Sequence, residues 1–209
     1  MRFRDMTVQG FVDALAGKDP TPGGGSASAL AGAMAAGLVA MVARTTAGNK
    51  KFADRAAGME ALAREADGLR ADLLVLTEED AAAFDQVMAA VRMPRESAEQ
   101  QAARSRALQE AYRAAAGPPM KVCDASVRLL GLARRAAEEG TPGAASDAGV
   151  GGLLAAAALE GAALNVRINL AALKDEPVRA AFTERLRLLE GQGRDLAAAI
   201  QRAVAAALA

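Results

Sequence analysis

The stretch PTPGGGSASALAGAMAAGLVAMVA, residues 20–43, decides the fold. Pro20 and Pro22 fix their own φ and bias the residues before them to extended geometry, so no helix passes through this point. Gly23, Gly24 and Gly25 then allow close backbone approach, and Ser26 has the chemistry of an N-cap, which predicts a helix starting near Ser26. From Ala27 to Ala43 the chain carries no charge and no polar stripe. A helix that is apolar all round lies in a protein core or in a membrane. Ala and Gly supply little insertion energy and allow close helix packing, so the expectation is a central helix buried on every side.

Working outward, the composition agrees with an all-α multihelical bundle. Alanine and leucine are abundant, aromatics make up 3% of the 209 residues, and β-branched clusters are lacking. The Pro and Gly clusters at 20–25, 117–119 and 140–143 are too short for linkers, so residues 1–209 read as a single domain. Helices are expected over 5–16, with an apolar face of Met6, Phe11, Val12 and Leu15, and over 26–47, 54–92, 96–116, 119–140, 146–170 and 176–208.

The 25 basic and 25 acidic residues balance, leaving no excess to hold a phosphate backbone, so nucleic acid is not an expected partner. Asp5, Gln9 and Asp13 interrupt any signal-peptide core, and a cytoplasmic protein without a membrane span is expected. Cys123 is the sole cysteine and histidine is absent, which removes imidazole-based triads, Cys-rich zinc sites and His-ligated metals. Proton transfer in such a chain falls to Asp, Glu, Lys, Tyr or water.

Two segments carry candidates for that chemistry. In 54–92 an apolar seam runs through Met59, Leu62, Ala66, Leu69, Leu73 and Leu76; four residues on it reaches Asp80, and four more Phe84. A carboxyl on that seam must be protonated, paired with an arginine, or functional. The second segment is SDAGVGGLLAAAALEGAALNVRINL, residues 146–170, with Ser146 as the expected N-cap and Asp147 in the first turn. Asn165 and Asn169 share a face of this helix and need partners, either another helix or a polar ligand. Lys50 and Lys51 follow the first long helix, where its dipole favours cations.

Taken together, residues 20–44, the DAAAF segment at 80–84 and residues 146–170 resemble the cyclodeaminase/cyclohydrolase family of folate enzymes. The resemblance implies a dimeric helical bundle that needs no metal or cofactor beyond its tetrahydrofolate substrate. It implies closure of 5-formiminotetrahydrofolate to 5,10-methenyltetrahydrofolate with release of ammonia. The alternatives are hydrolysis of the methenyl compound to 10-formyltetrahydrofolate, or a non-catalytic bundle that binds folate or another anion. Carried over by position, it makes Asp80 and Asp147 the proton-transfer pair and Gly23, Gly24, Gly25 and Ser26 the backbone donors. Ser146, Asn165 and Asn169 become substrate contacts, and Lys50 meets the glutamate tail.

Overall fold

A computed structural model describes residues 2–209, and among them no strand occurs. After a short 3-10 turn at Phe3–Asp5 the helices are α1 (Val8–Leu15), α2 (Gly24–Ala47), α3 (Ala56–Val91), α4 (Ala98–Ala115), α5 (Gly117–Glu139), α6 (Ala145–Ala171) and α7 (Glu176–Leu208). The expected segments are all present. Their ends follow local chemistry: Ser97 and Gln100 form a capping box at the start of α4, and Asp175 caps α7 through the Val178 N–H.

Helix α2 packs against α3, α5 and α6, and it runs antiparallel to both α3 and α6, as three close approaches show. Gly25 faces Asp80, Gly32 faces Leu73 and Ala158, and Gly151 faces Val39 and Ala35. Small residues at these contacts let the axes come close, toward the short end of the roughly 8–10 Å spacing of packed helices. Ala29, Ala36, Ala40, Val39, Leu73, Ala155 and Ala162 are fully buried there. The far end of α2 is tied down by Thr46, whose hydroxyl donates to the Val42 carbonyl at 2.8 Å and accepts the Thr141 N–H at 2.9 Å. Cys123, buried on α5, directs Sγ at the Leu159 carbonyl across 3.7 Å, and burial pushes its thiol up to about 12.

Two expectations need correction. Helix α2 is not covered on every side: Met34 is 50% exposed and Met41 also emerges, because α3, α5 and α6 surround it on three sides only. Helix α6 likewise shows Leu153, Leu164 and Ile168 to solvent. The apolar face expected for the first helix is mostly bare too. Phe11 is buried, with Phe3 edge-on to it at 6.1 Å, but Val12 and Leu15 are exposed because eight residues make too short a helix to lay a whole face on the bundle.

Candidate functional site

The seam on α3 brings Asp80 to the first turn of α2. Its carboxyl lies against Gly25 so closely that a Cβ there would collide with it, which explains the glycine at this position. Ser26, fully buried, donates its hydroxyl to the Thr77 carbonyl at 2.8 Å and lies 3.3 Å from Asp80 Oδ2. Ser26 is therefore not the N-cap. That position falls to Gly23, which makes no side-chain bond, and Ser26 instead pins α2 to α3.

Burial raises the Asp80 carboxyl above its ordinary range, and hydrogen bonds from the Ser26 hydroxyl and backbone N–H oppose that rise without cancelling it. The hydroxyl has one proton, and the shorter bond to Thr77 engages it. The longer contact to Asp80 Oδ2 at 3.3 Å therefore shares a proton already committed to Thr77, which leaves the carboxyl only weakly supported by it. No Lys or Arg forms an ion pair with Asp80 among the described residues, so the buried structural pair considered from sequence is absent. The neighbouring carboxylates are the paired ones: Glu78 with Arg4 at 3.4 Å and Glu79 with Lys121 at 2.8 Å.

On the other flank of this turn stands Asn165 of α6, with Nδ2 placed to touch a Cβ on Gly24 at 3.4 Å. Asn165 donates to the Gly161 carbonyl at 2.9 Å; Asn169 donates to the Asn165 carbonyl at 2.9 Å and to Ala115 at 3.1 Å. Both amides are half-buried, and their donors are taken by backbone. Of the two partners expected for this pair, another helix or a polar ligand, the structure supplies the first through the Ala115 carbonyl of α4, and the side-chain oxygens of both amides have no donor among the described residues. Of the backbone donors expected of Gly23, Gly24, Gly25 and Ser26, the Ser26 N–H bonds the chain's own Asp80 carboxyl.

The remaining candidates lie elsewhere. Helix α6 starts at Ala145 with Ala144 as N-cap, so Ser146 is inside the first turn, exposed and making no cap bond. Asp147 is in that turn as expected, but α6 is antiparallel to α2 and its start lies by Thr46. From Asn165 back to Asp147 the helix rises roughly 27 Å. Lys50, exposed just after α2, shares that distant end. Within one chain, Asp80 and Asp147 do not form a pair, and Lys50 does not reach the Asp80 site. Sequence reading placed a close approach at Gly25 without its partner Asp80, and it missed Gly161 at Ser28, because both partners are distant in sequence.

A formiminotransferase-cyclodeaminase family model matches residues 7–188 of the chain. The chain belongs to this formiminotransferase-cyclodeaminase family. Its relatives include a methenyltetrahydrofolate cyclohydrolase of Methylorubrum extorquens, 42% identical over 88% of both chains. The formimidoyltransferase-cyclodeaminase of Mus musculus is 31% identical over 82% of this chain, which spans 32% of that longer protein. A crystal structure of formiminotetrahydrofolate cyclodeaminase from Thermotoga maritima superposes with a TM-score of 0.88 at 30% identity, covering 98% of each chain. For a cyclodeaminase-family bundle, the Asp80 end is the part in which helices α2, α3 and α6 bring polar groups together.

Proposed function

We propose that this protein acts on the one-carbon unit that bridges N5 and N10 of tetrahydrofolate, with Asp80 as the proton-transfer group. The observation that carries this reading is the half-buried Asp80 carboxyl at the α2 N-terminus, raised by burial and flanked by the free Asn165 oxygen. In cyclodeamination, N10 attacks the formimino carbon and loses its proton, while the leaving nitrogen gains one and departs as ammonia. A protonated Asp80 suits the second step. In hydrolysis, water adds to the cationic methenyl carbon and loses a proton, and the bond to N5 then breaks as N5 is protonated. An ionised Asp80 accepts the proton from water and stabilises the cation.

The identity with the Methylorubrum cyclohydrolase supports hydrolysis as the second reading. Purified protein incubated separately with 5-formiminotetrahydrofolate and 5,10-methenyltetrahydrofolate distinguishes them: methenyl absorbance rises in the first reaction and falls in the second. No change with either, against an enzyme-free control, would overturn both.

We further propose that two copies pair through the uncovered face of α2 and α6. Its rows, Ala27, Ala31, Met34, Leu38 and Met41 on α2 and Val150, Leu153, Ala157, Leu164 and Ile168 on α6, follow helical spacing for the length of both helices. These two helices are long and apolar enough to cross a membrane, yet 61% of the α2 window is already buried by other helices. A second copy accounts for the remainder. A two-fold axis at right angles to the helices lays the Asp147 and Lys50 end of each protomer across the Asp80 end of its partner. Sedimentation equilibrium giving only the 21.3 kDa species at micromolar concentration would overturn the pairing.

A further inference from the structure

Outside the Asp80 site lies a cavity of about 390 Å³ between α4, the α3–α4 connection and the α6–α7 connection. Three segments each bring a cation to it: Arg95 ahead of α4, Arg104 on α4, and Lys174 after α6. No Asp or Glu lines it. None of the three cations has a carboxylate partner among the described residues, although the chain pairs other surface arginines readily, such as Arg167 with Glu190 and Arg185 with Asp124. Three unpaired positive charges around one hollow repel one another, an arrangement that an anion relieves.

The walls are fixed by hydrogen bonds. Gln109 donates to the Ala172 carbonyl at 3.1 Å and accepts the Lys174 N–H at 2.6 Å, which ties the α6–α7 connection to α4. Gln101 donates to the Arg95 carbonyl at 3.1 Å, and Arg104 donates through Nε and Nη2 to the Val91 carbonyl at 3.2 and 3.1 Å. The Arg104 guanidinium keeps further N–H groups for a ligand. Tyr112, the sole tyrosine, also lines the hollow.

A short path joins this cavity to Asp80. Asn165 flanks the α2 turn that holds Asp80, Asn169 is one turn further along α6, and Asn169 bonds to Ala115, about one turn from Tyr112 on α4. Each step is a helical turn or less, so the cavity lies roughly 15 Å from the carboxyl. That is within reach of the aryl-amide arm of a folate. Lys50, the sequence-based candidate for the tail, lies at the other end of the bundle.

We propose that this cavity binds the carboxylates of the substrate's glutamate tail, with Arg95, Arg104 and Lys174 as the recognising groups; this rests on the folate reading above. Arg95 and Lys174 are exposed, so the double variant Arg95→Gln/Lys174→Gln should fold, with its thermal midpoint as the check. Turnover is compared for methenyltetrahydrofolate bearing three γ-linked glutamates and for a pteroate analogue that lacks the tail. In the wild type the tail should lower KM, and in the double variant that advantage should shrink tenfold or more; an Arg202→Gln control on exposed α7 should keep it. A double variant that retains the full advantage overturns the proposal. Binding of free γ-linked triglutamate is the independent arm: saturable binding that the double variant loses supports the cavity, and equal titration curves overturn it. Failure of the wild type to turn over any folate would sink the functional reading alone, since the triglutamate titration requires no catalysis.

Discussion

The two ends of helix α2, Gly24–Gly25–Ser26 and Thr45–Thr46–Ala47, are held in different ways. Its last turn is secured by neutral hydrogen bonds, Thr46 to Val42 and Thr141 to Thr46. Its first turn has a carboxyl pressed against Gly25 and a serine shared with Thr77. The first arrangement satisfies its groups fully. The second holds a half-buried acid with only part of its hydrogen-bonding capacity met. The difference shows that an apolar helix in this bundle is structural along its length and meets a titratable group where another helix brings one to its N-terminus.

The comparison is broken most severely at Asp80. Asp80→Asn should lower kcat by about 10²–10⁴-fold, the usual contribution of a positioned acid or base. Because burial raises this carboxyl in the folded state, its contribution to stability is fully present below its unfolded pKa and lost as pH rises through the raised value. At neutral pH, removing the charge should leave the thermal midpoint equal or higher. A clear loss of stability at pH 7, with activity retained, would make Asp80 a structural residue. The pH profile sharpens the point: an acid role makes kcat/KM fall through the raised pKa, a base role makes it rise, and Asp80→Asn removes either limb.

The glycines come next. Gly25→Ala drives a methyl into the Asp80 carboxyl and should cost about 1–3 kcal/mol, as overpacking does, with loss of turnover. Gly24→Ala meets only ordinary contact with Asn165 and should be close to neutral in stability. Chemical denaturation of the two variants checks the contrast, and equal costs would show that the first turn can shift to accommodate either methyl.

A third test asks whether the two ends cooperate between chains. Asp80→Asn and Asp147→Asn proteins, each inactive alone if the proposed two-fold is right, should recover about a quarter of wild-type activity when subunits exchange at random, since half of the dimers then carry one intact site. An Asp147→Asn protein with full activity would confine the chemistry to the Asp80 end. The smallest effect is expected at Lys121, whose exposed pair with Glu79 should change stability by less than about 1 kcal/mol on Lys121→Ala.

Much of this was legible in the sequence because it is local. The charge-free run after Gly25 marks α2, and the period of the α3 seam carries Asp80 inward. What failed was non-local or ambiguous in chemistry. A serine beside a Gly-rich turn reads as a cap, yet Ser26 bonds to Thr77, 51 residues away. Ser146 reads the same way and caps nothing, because the turn at Pro142–Ala144 already leads the chain into α6. Asp147 and Lys50 sit on suitable segments, and only the antiparallel course of α2 and α6 places them away from Asp80. The cations at 95, 104 and 174 form no motif, since three separate segments deliver them.

Cys123 has a practical consequence. Its thiol is the only one in the chain, it is fully buried between α5 and α6, and with a pKa of about 12 it is almost wholly un-ionised near neutrality. Thiolate reagents therefore find no target in the closed molecule. The rate at which such a reagent labels the protein becomes a clock for how often the α5–α6 interface opens, readable in the native state without adding a probe. Comparing that rate with and without a folate would turn ligand binding into a measurement of how firmly it holds the bundle shut.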